Sequence, residues 1–360
     1  MNLYDINKSF IDNWRTGPQS GSPLPVRQIP PKSTWHEWLG FNIMSRIGIP
    51  ACPIMTGKGI ALMSQLGFDV LTYKTIRQAE QPSHPWPNIK YVDINRPLTK
   101  TDLNQIIYCT DQQIKSEQIT IANSFGNSCL SPQIVAEDID YAKRAMQKGQ
   151  VLIVSIYGED NEQHNQINDY VSAACLAKDA GADIIEANIS CPNLHAEKLQ
   201  SQKNIFSEIN YFYQLIHSIV LAVQPAPLLI KLGYIADDHL LRQILMTAAY
   251  AGVAGITGIN TFPMQVKNKL NEPVFGKHRQ FSGVSGFPIK QLGLDFIKRI
   301  NQIKVQEKLD ISILGCGGIT EAQHFTEYHE VGADIAMSAT GVMWNSNLGM
   351  TYHKLISSEA

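Results

Sequence analysis

The segment IIEANISCPNLH, residues 184–195, carries an apolar strand into Asn188, Ser190, Cys191 and Asn193, with a turn forced at Pro192. A thiol between two carboxamides at a strand end admits four readings: a small buried hydrophobe, a nucleophile, a metal ligand or a base. Metal binding lacks companion ligands, and acyl transfer wants a paired histidine, for which only His195 is near. Removing a proton next to a carbonyl needs a base of moderate pKa, and a thiol near ~8.5 serves at neutral to alkaline pH.

Other chemistry-bearing residues end other apolar runs. Lys231 sits in PLLIKLG, and Lys74, with Thr75 beside it, ends DVLTYK. A buried ammonium is costly without an anionic partner, although either lysine taken alone reads more readily as a rim residue laying its stem on apolar surface. Asn123, Asn188, Asn193 and Asn260 offer donors and acceptors suited to a planar, imide-like ring, whereas each taken singly is an ordinary turn residue. The turns GCGGIT and SATG bring the N–H groups of Gly317, Gly318, Ala339 and Thr340 to bear on a phosphate dianion. One such turn would be unremarked; two in adjacent final units point to a phosphate cradle.

These residues need a frame that puts strand ends together. The 360 residues are 44% hydrophobic and 17% charged, which supports a large core in one domain or two modest ones. A net charge of -2 and the absence of dense basic runs argue against nucleic acid as a partner. No apolar run reaches the roughly 18 residues of a membrane span, and the N-terminus lacks a signal-peptide layout, so the expected location is the cytoplasm. Six cysteines are scattered without a CxxC pair, which disfavours a disulfide framework or zinc site. Residues 15–34, rich in Pro, Gly and Ser, read as an extended arm, and TWHEWLG as a short amphipathic turn. From about residue 49, short apolar runs alternate with helical patterns: IPACPIM, DVLTYK, ITIANS, VLIVSIYG, DIIEANIS, PLLIKLG, AGITGIN, ISILGCGG and DIAMSAT. Strand–helix alternation implies parallel pairing, and eight or nine units suit a closed (β/α)8 TIM barrel better than an open doubly wound sheet. No GxGxxG follows the first strand, which weakens the dinucleotide-binding version of the open sheet.

YKT, ANSFG, NISCPN, IKL, GIN plus Thr261, SGFPIK and GCGGI, in the family's order over a stretch from about residue 50 to 345, together resemble the class 1 dihydroorotate dehydrogenases. The resemblance implies a (β/α)8 barrel with FMN at its C-terminal face. Cys191 matches the catalytic base. Lys74, Asn123, Asn188, Asn193, Asn260 and Thr261 match residues that grip the orotate ring and carboxylate, and the backbone of Phe125, Gly126 and Asn127 matches the loop receiving that carboxylate. Thr56, Gly57, Lys74, Thr75, Asn188, Lys231, Gly286, Gly317, Gly318, Ala339 and Thr340 match FMN contacts. The implied chemistry is proton removal from C5 by Cys191 and hydride passage from C6 to flavin N5.

On this reading residues 1–45 form an N-terminal extension, and 46–360 the FMN-binding barrel, with an insertion within 75–118. The insertion is expected over the rim, since it joins two strand ends there. The chain departs from the family pattern at Ser285 and Ala339, where glycines are usual. Asn193 after SCP, where the dihydropyrimidine dehydrogenases carry histidine, favours orotate over another dihydropyrimidine. A flavin-binding barrel without catalysis is the reading from a different class. Expected partners are a small-molecule substrate, a second copy in a homodimer, and an electron-transfer subunit if NAD, rather than fumarate or quinone, is the oxidant.

Overall fold

The structure is a computed structural model that describes residues 3–19, 24, 26–102, 105–112, 114–160, 165–189, 205–206 and 208–359. A hairpin of β1 (His36–Trp38) and β2 (Phe41–Ile43) precedes the first barrel strand, β3 (Ile47–Ile49). The barrel continues through β4 (Val70–Ile76), with β5 (Ile89–Val92), β6 (Ile106–Thr110) and β7 (Thr120–Asn123) intervening before β8 (Val151–Ile156). Then come β9 (Ile184–Asn188), β10 (Leu228–Leu232) and β11 (Gly255–Gly258). After β12 (Phe262–Lys267) and β13 (Phe281–Gly286), the barrel ends with β14 (Ser312–Cys316) and β15 (Ile335–Met337). The eight strands β3, β4, β8, β9, β10, β11, β14 and β15 pair in parallel and close on themselves. Helices alternate with them, so this is a (β/α)8 barrel.

The helices start where the sequence caps them. Pro132 opens the helix Pro132–Ala145, in which its missing N–H costs nothing. Asp237 accepts from the N–H groups of His239 and Leu240 at 2.8 and 3.2 Å to start Asp238–Tyr250. Their apolar faces, including Ile139, Phe212, Ile216, Ile244 and Phe296, form the core outside the strands. Inside the barrel, Val70, Val151, Ile153, Ile184, Leu229, Leu314 and Ile335 fill the lower layers. TWHEWLG belongs to the β1–β2 hairpin rather than a lone turn, and it plugs the barrel's bottom: Trp38 and Ile43 pack into that interior, and Trp38 Nε1 donates to Ser312 Oγ at 2.7 Å.

Two expected strands are displaced. IPACPIM is a loop, because Pro50 and Pro53 stop pairing and β3 ends at Ile49. ITIANS is not a barrel strand: β7 joins β5, β6, β12 and β13 in a second closed sheet of five short strands. Those strands leave the barrel after the C-terminal ends of β4 and β11, so the second sheet caps the functional face. Residues 75–118, expected to hold an insertion, supply β5 and β6 to it.

Described N-terminal residues touch both ends of the barrel. Tyr4 reaches a cavity at the C-terminal face. At the other end Arg27 forks onto Asp69, just before β4, with both N–O distances 2.7 Å, and Ser45 and Gln150 complete the carboxylate's partners. No helix among the described residues is long and apolar enough to cross a membrane.

Candidate active site

A cavity at the C-terminal ends of the strands gathers Asn123, Phe125, Asn127, Asn188, Lys231, Asn260, Thr261, Gly286, Gly317, Gly318, Ala339 and Thr340. Twelve expected residues from seven strand ends and the turns that follow them thus face one space. Cys191 and Asn193 lie outside the described residues.

Alternation along the strands aims these side chains inward. Asn188 on β9 stands opposite Lys231 on β10, and Lys231 opposite Thr257 on β11. Asn260 donates through Nδ2 to Asn188 Oδ1 at 3.3 Å, while its own Oδ1 accepts from Thr261 N–H at 2.8 Å. Tyr170 donates to the Asn188 carbonyl at 2.8 Å, which fixes the strand end from behind. Asn123 comes from the capping sheet and donates to Gly283 O at 3.1 Å. The Thr261 hydroxyl is buried with no partner among the described residues.

The two final turns are laced to each other, since Ser338 Oγ donates to Ile319 O at 2.7 Å. Gly318 has φ 73°, and a Cβ there would lie 2.5 Å from Lys290 N, so only glycine fits. Gly286 has φ 101° and its Cβ would lie 2.0 Å from Ile119 O. Ser285, a departure from the family pattern, accepts from Thr340 Oγ1 at 2.9 Å and lines the cavity.

Lys74, Thr75, Thr56, Gly57 and Gly126 are placed elsewhere. The pairing of β4 with β8 shifts register between Tyr73 and Ile76, and such a bulge re-aims side chains. Lys74 Nζ therefore donates to the carbonyls of Thr75 and Ser128 and lies 5.3 Å over the Phe10 ring. Thr75 turns inward and donates to Ser155 Oγ at 3.1 Å. Thr56 caps the helix Gly57–Gln65, and Gly57 N–H is taken by Asp138 Oδ2 at 2.7 Å. Gly126 has φ 76° and packs against the His84 ring.

Several residues on the cavity wall or behind it escaped sequence reasoning. Tyr4 and Phe10, from the N-terminal extension, meet Phe125 edge-on at centroid distances of 5.6 and 6.4 Å. The insertion holds the 124–127 loop: His84 N–H donates to Phe125 O at 3.0 Å, and Asn88 Nδ2 donates to Ser124 O at 3.1 Å. Segments this short carry no periodicity that could have flagged them. Cys316 lies on the cavity wall; burial pushes its thiol up to about 12, and Sγ–H donates to Ile259 O at 3.2 Å. It is a neutral thiol and cannot serve as a base at working pH.

A model of the dihydroorotate dehydrogenase family matches residues 112–357. A dihydroorotate dehydrogenase of Dictyostelium discoideum is 36% identical over 361 residues, 98% of this chain and 96% of that one. The chain belongs to the dihydroorotate dehydrogenase family. As a member it is a dihydroorotate dehydrogenase-like oxidoreductase of the class acting on CH–CH groups. The NAD-dependent dihydropyrimidine dehydrogenase subunit PreA of Escherichia coli is 29% identical over 54% of this chain and 45% of its own. The crystal structure of DHODH from Eimeria tenella, in complex with ferulenol, superposes with a TM-score of 0.72 over 94% of this chain and 87% of that one. At 15% identity that likeness concerns the fold alone.

Proposed function

We propose that this chain oxidises dihydroorotate to orotate with bound FMN, Cys191 acting as the base. The observation that carries the reading is the single cavity joining Lys231, Asn188 and Asn260 to the two glycine turns. That donor set fits the cofactor. Gly317, Gly318 and Thr340 offer backbone N–H groups to a phosphate, and the Lys231 ammonium stands where a ring would gain negative charge. Bound there, FMN would accept a hydride from the substrate. FMN fits better than FAD, because the cradle is built from short turns and no dinucleotide fingerprint holds an adenylate.

The protein's own contribution is orientation and proton handling. Asn188 and Asn260, locked to each other, present fixed amide edges to a planar ring. Asn123 and the loop at Phe125 and Asn127 approach from the capping sheet, opposite the barrel floor. The capping sheet also shields the space from water, which strengthens every polar contact within it. Cys191 follows Asn188 by three residues in the sequence, and on this reading it takes the proton from a substrate those amides hold. A homodimer, with an electron-transfer subunit for the reoxidation step, is the assembly this reading favours; the PreA relative is itself named a subunit.

The test is direct. Purified protein should be yellow, release FMN by mass spectrometry, and bleach anaerobically on adding dihydroorotate but not dihydrouracil. Bleaching by dihydrouracil alone would move the chain to another dihydropyrimidine, and a flavin that neither compound bleaches would leave a binding module.

A further inference from the structure

Strand β9 reads Ile-Ile-Glu-Ala-Asn, and Glu186 is a charged residue in its middle. Ile185 and Ala187 pack outward against the helices, whereas Ile184 packs in the barrel interior and Asn188 lines the cavity. Alternation therefore places Glu186 inside the barrel, between its apolar lower layers and the cavity floor. It is 0% exposed, and neither carboxylate oxygen has a hydrogen-bond partner among the described residues. The hydroxyls of Thr72 and Thr257, on inward positions of β4 and β11, are buried and unpartnered as well.

A carboxylate in such a place needs a compensating charge. Glu186 stands opposite Leu229, so the diagonal neighbour one inward step above it on β10 is Lys231. Diagonal positions lie about 7–8 Å apart, close enough for two charges to feel each other strongly in a dry interior. Both side chains act on the Cys316 thiol, with opposite signs, so the two charges share one neighbourhood.

We propose that Glu186 is the counter-charge of Lys231, a positioning residue beneath the cavity that tempers the lysine's pull on negative charge above it. Lys231 then presents less than a full unit of positive potential to the cavity. Glu186 touches neither substrate nor cofactor. The redox consequence rests on the flavin reading; the charge coupling does not.

The coupling is read from a double-mutant cycle of thermal unfolding on the full chain without added flavin, using Glu186→Gln, Lys231→Met and both together. Lys231→Met alone leaves a buried carboxylate without its cation, so the double variant should melt above it. Equal losses from Glu186→Gln in either background would overturn the proposal. The redox arm compares FMN-loaded wild type with Glu186→Gln against a reference dye. We expect a positive shift, toward about tenfold more reduced flavin at equal dye ratio, or about 30 mV for a two-electron couple. Glu186→Asp keeps the charge and should return the potential toward wild type; a shift as large as that of Glu186→Gln would reduce the residue to a packing role. A wild type that binds no flavin would remove the functional reading, while the unfolding cycle would still decide the coupling.

Discussion

Asn260 and Asn188, 72 residues apart, are locked amide to amide at 3.3 Å, and Thr261 N–H holds Asn260 from the other side at 2.8 Å. Flipping the Asn260 carboxamide would break both contacts, so the donors and acceptors of the pair are already sorted. Asn260→Ala should weaken orotate binding roughly ten- to hundredfold, since it removes one amide and frees a second. Titration of the flavin absorbance with orotate measures this. An unchanged dissociation constant would take the pair out of substrate recognition.

Two cysteines have different expected behaviour under the proposed reaction. Cys191→Ala should retain FMN yet slow flavin reduction by dihydroorotate about 10²- to 10⁴-fold, the usual contribution of a positioned base. In the wild type that step should accelerate as pH rises through the Cys191 ionisation. Cys316→Ala should keep the wild-type pH profile, because burial holds that thiol neutral. Stopped-flow reduction across pH separates the two, and a Cys191→Ala enzyme at wild-type speed would return Cys191 to a filler of space.

The barrel and its rim were legible because eight strand–helix units each bury apolar faces and leave polar ends. What failed did so for local reasons. ITIANS has the same length and composition as a barrel strand, and nothing in four to six residues says which sheet will own it. Lys74 sits where strict alternation from Val70 points it inward, but one shifted register turns it onto Ser128 and Phe10. Tyr4 and Phe10 belong to a stretch with too few contacts of its own to advertise a destination. Glu186 was visible all along as a charge inside an apolar strand; only the inward alternation gives it meaning.

The Cys316 thiol also makes stability pH-dependent. Its folded pKa, about 12, lies above the ordinary 9.0, so the unfolded chain gives up this proton first. Its contribution is complete below pH 9 and is lost as pH rises toward 12, by up to about 1.4 kcal/mol per pH unit. Cys316→Ala should therefore show a shallower alkaline decline than wild type in denaturant titrations at pH 8 and 10. Parallel declines would mean the thiol is not buried as described.

Arg27 holds the N-terminal extension to the barrel's lower end through a pair whose side chains are 5% and 0% exposed. Removing one partner leaves Asp69 buried and uncompensated, so Arg27→Ala should cost about 3–5 kcal/mol in urea unfolding. Tyr4→Ala, at the other end, should leave stability within about 1.5 kcal/mol but raise the KM for dihydroorotate several-fold, because Phe125 loses an edge-on neighbour. A stability loss under 1 kcal/mol for Arg27→Ala would mean the extension is only draped on the surface.

The barrel is shut by a ladder between Ala336–Met337 and Ile47–Gly48. At the ribosome, the strand carrying Ile47 emerges and then waits for its partner, about 15–60 s at ordinary rates of synthesis. Throughout that wait β3 has one open edge, and the turn at Ala339 and Thr340 does not yet exist. If the proposed flavin binds there, its capture is a late, largely post-translational event, and a nascent chain stalled before β15 would expose an unpaired edge to chaperones or to other chains.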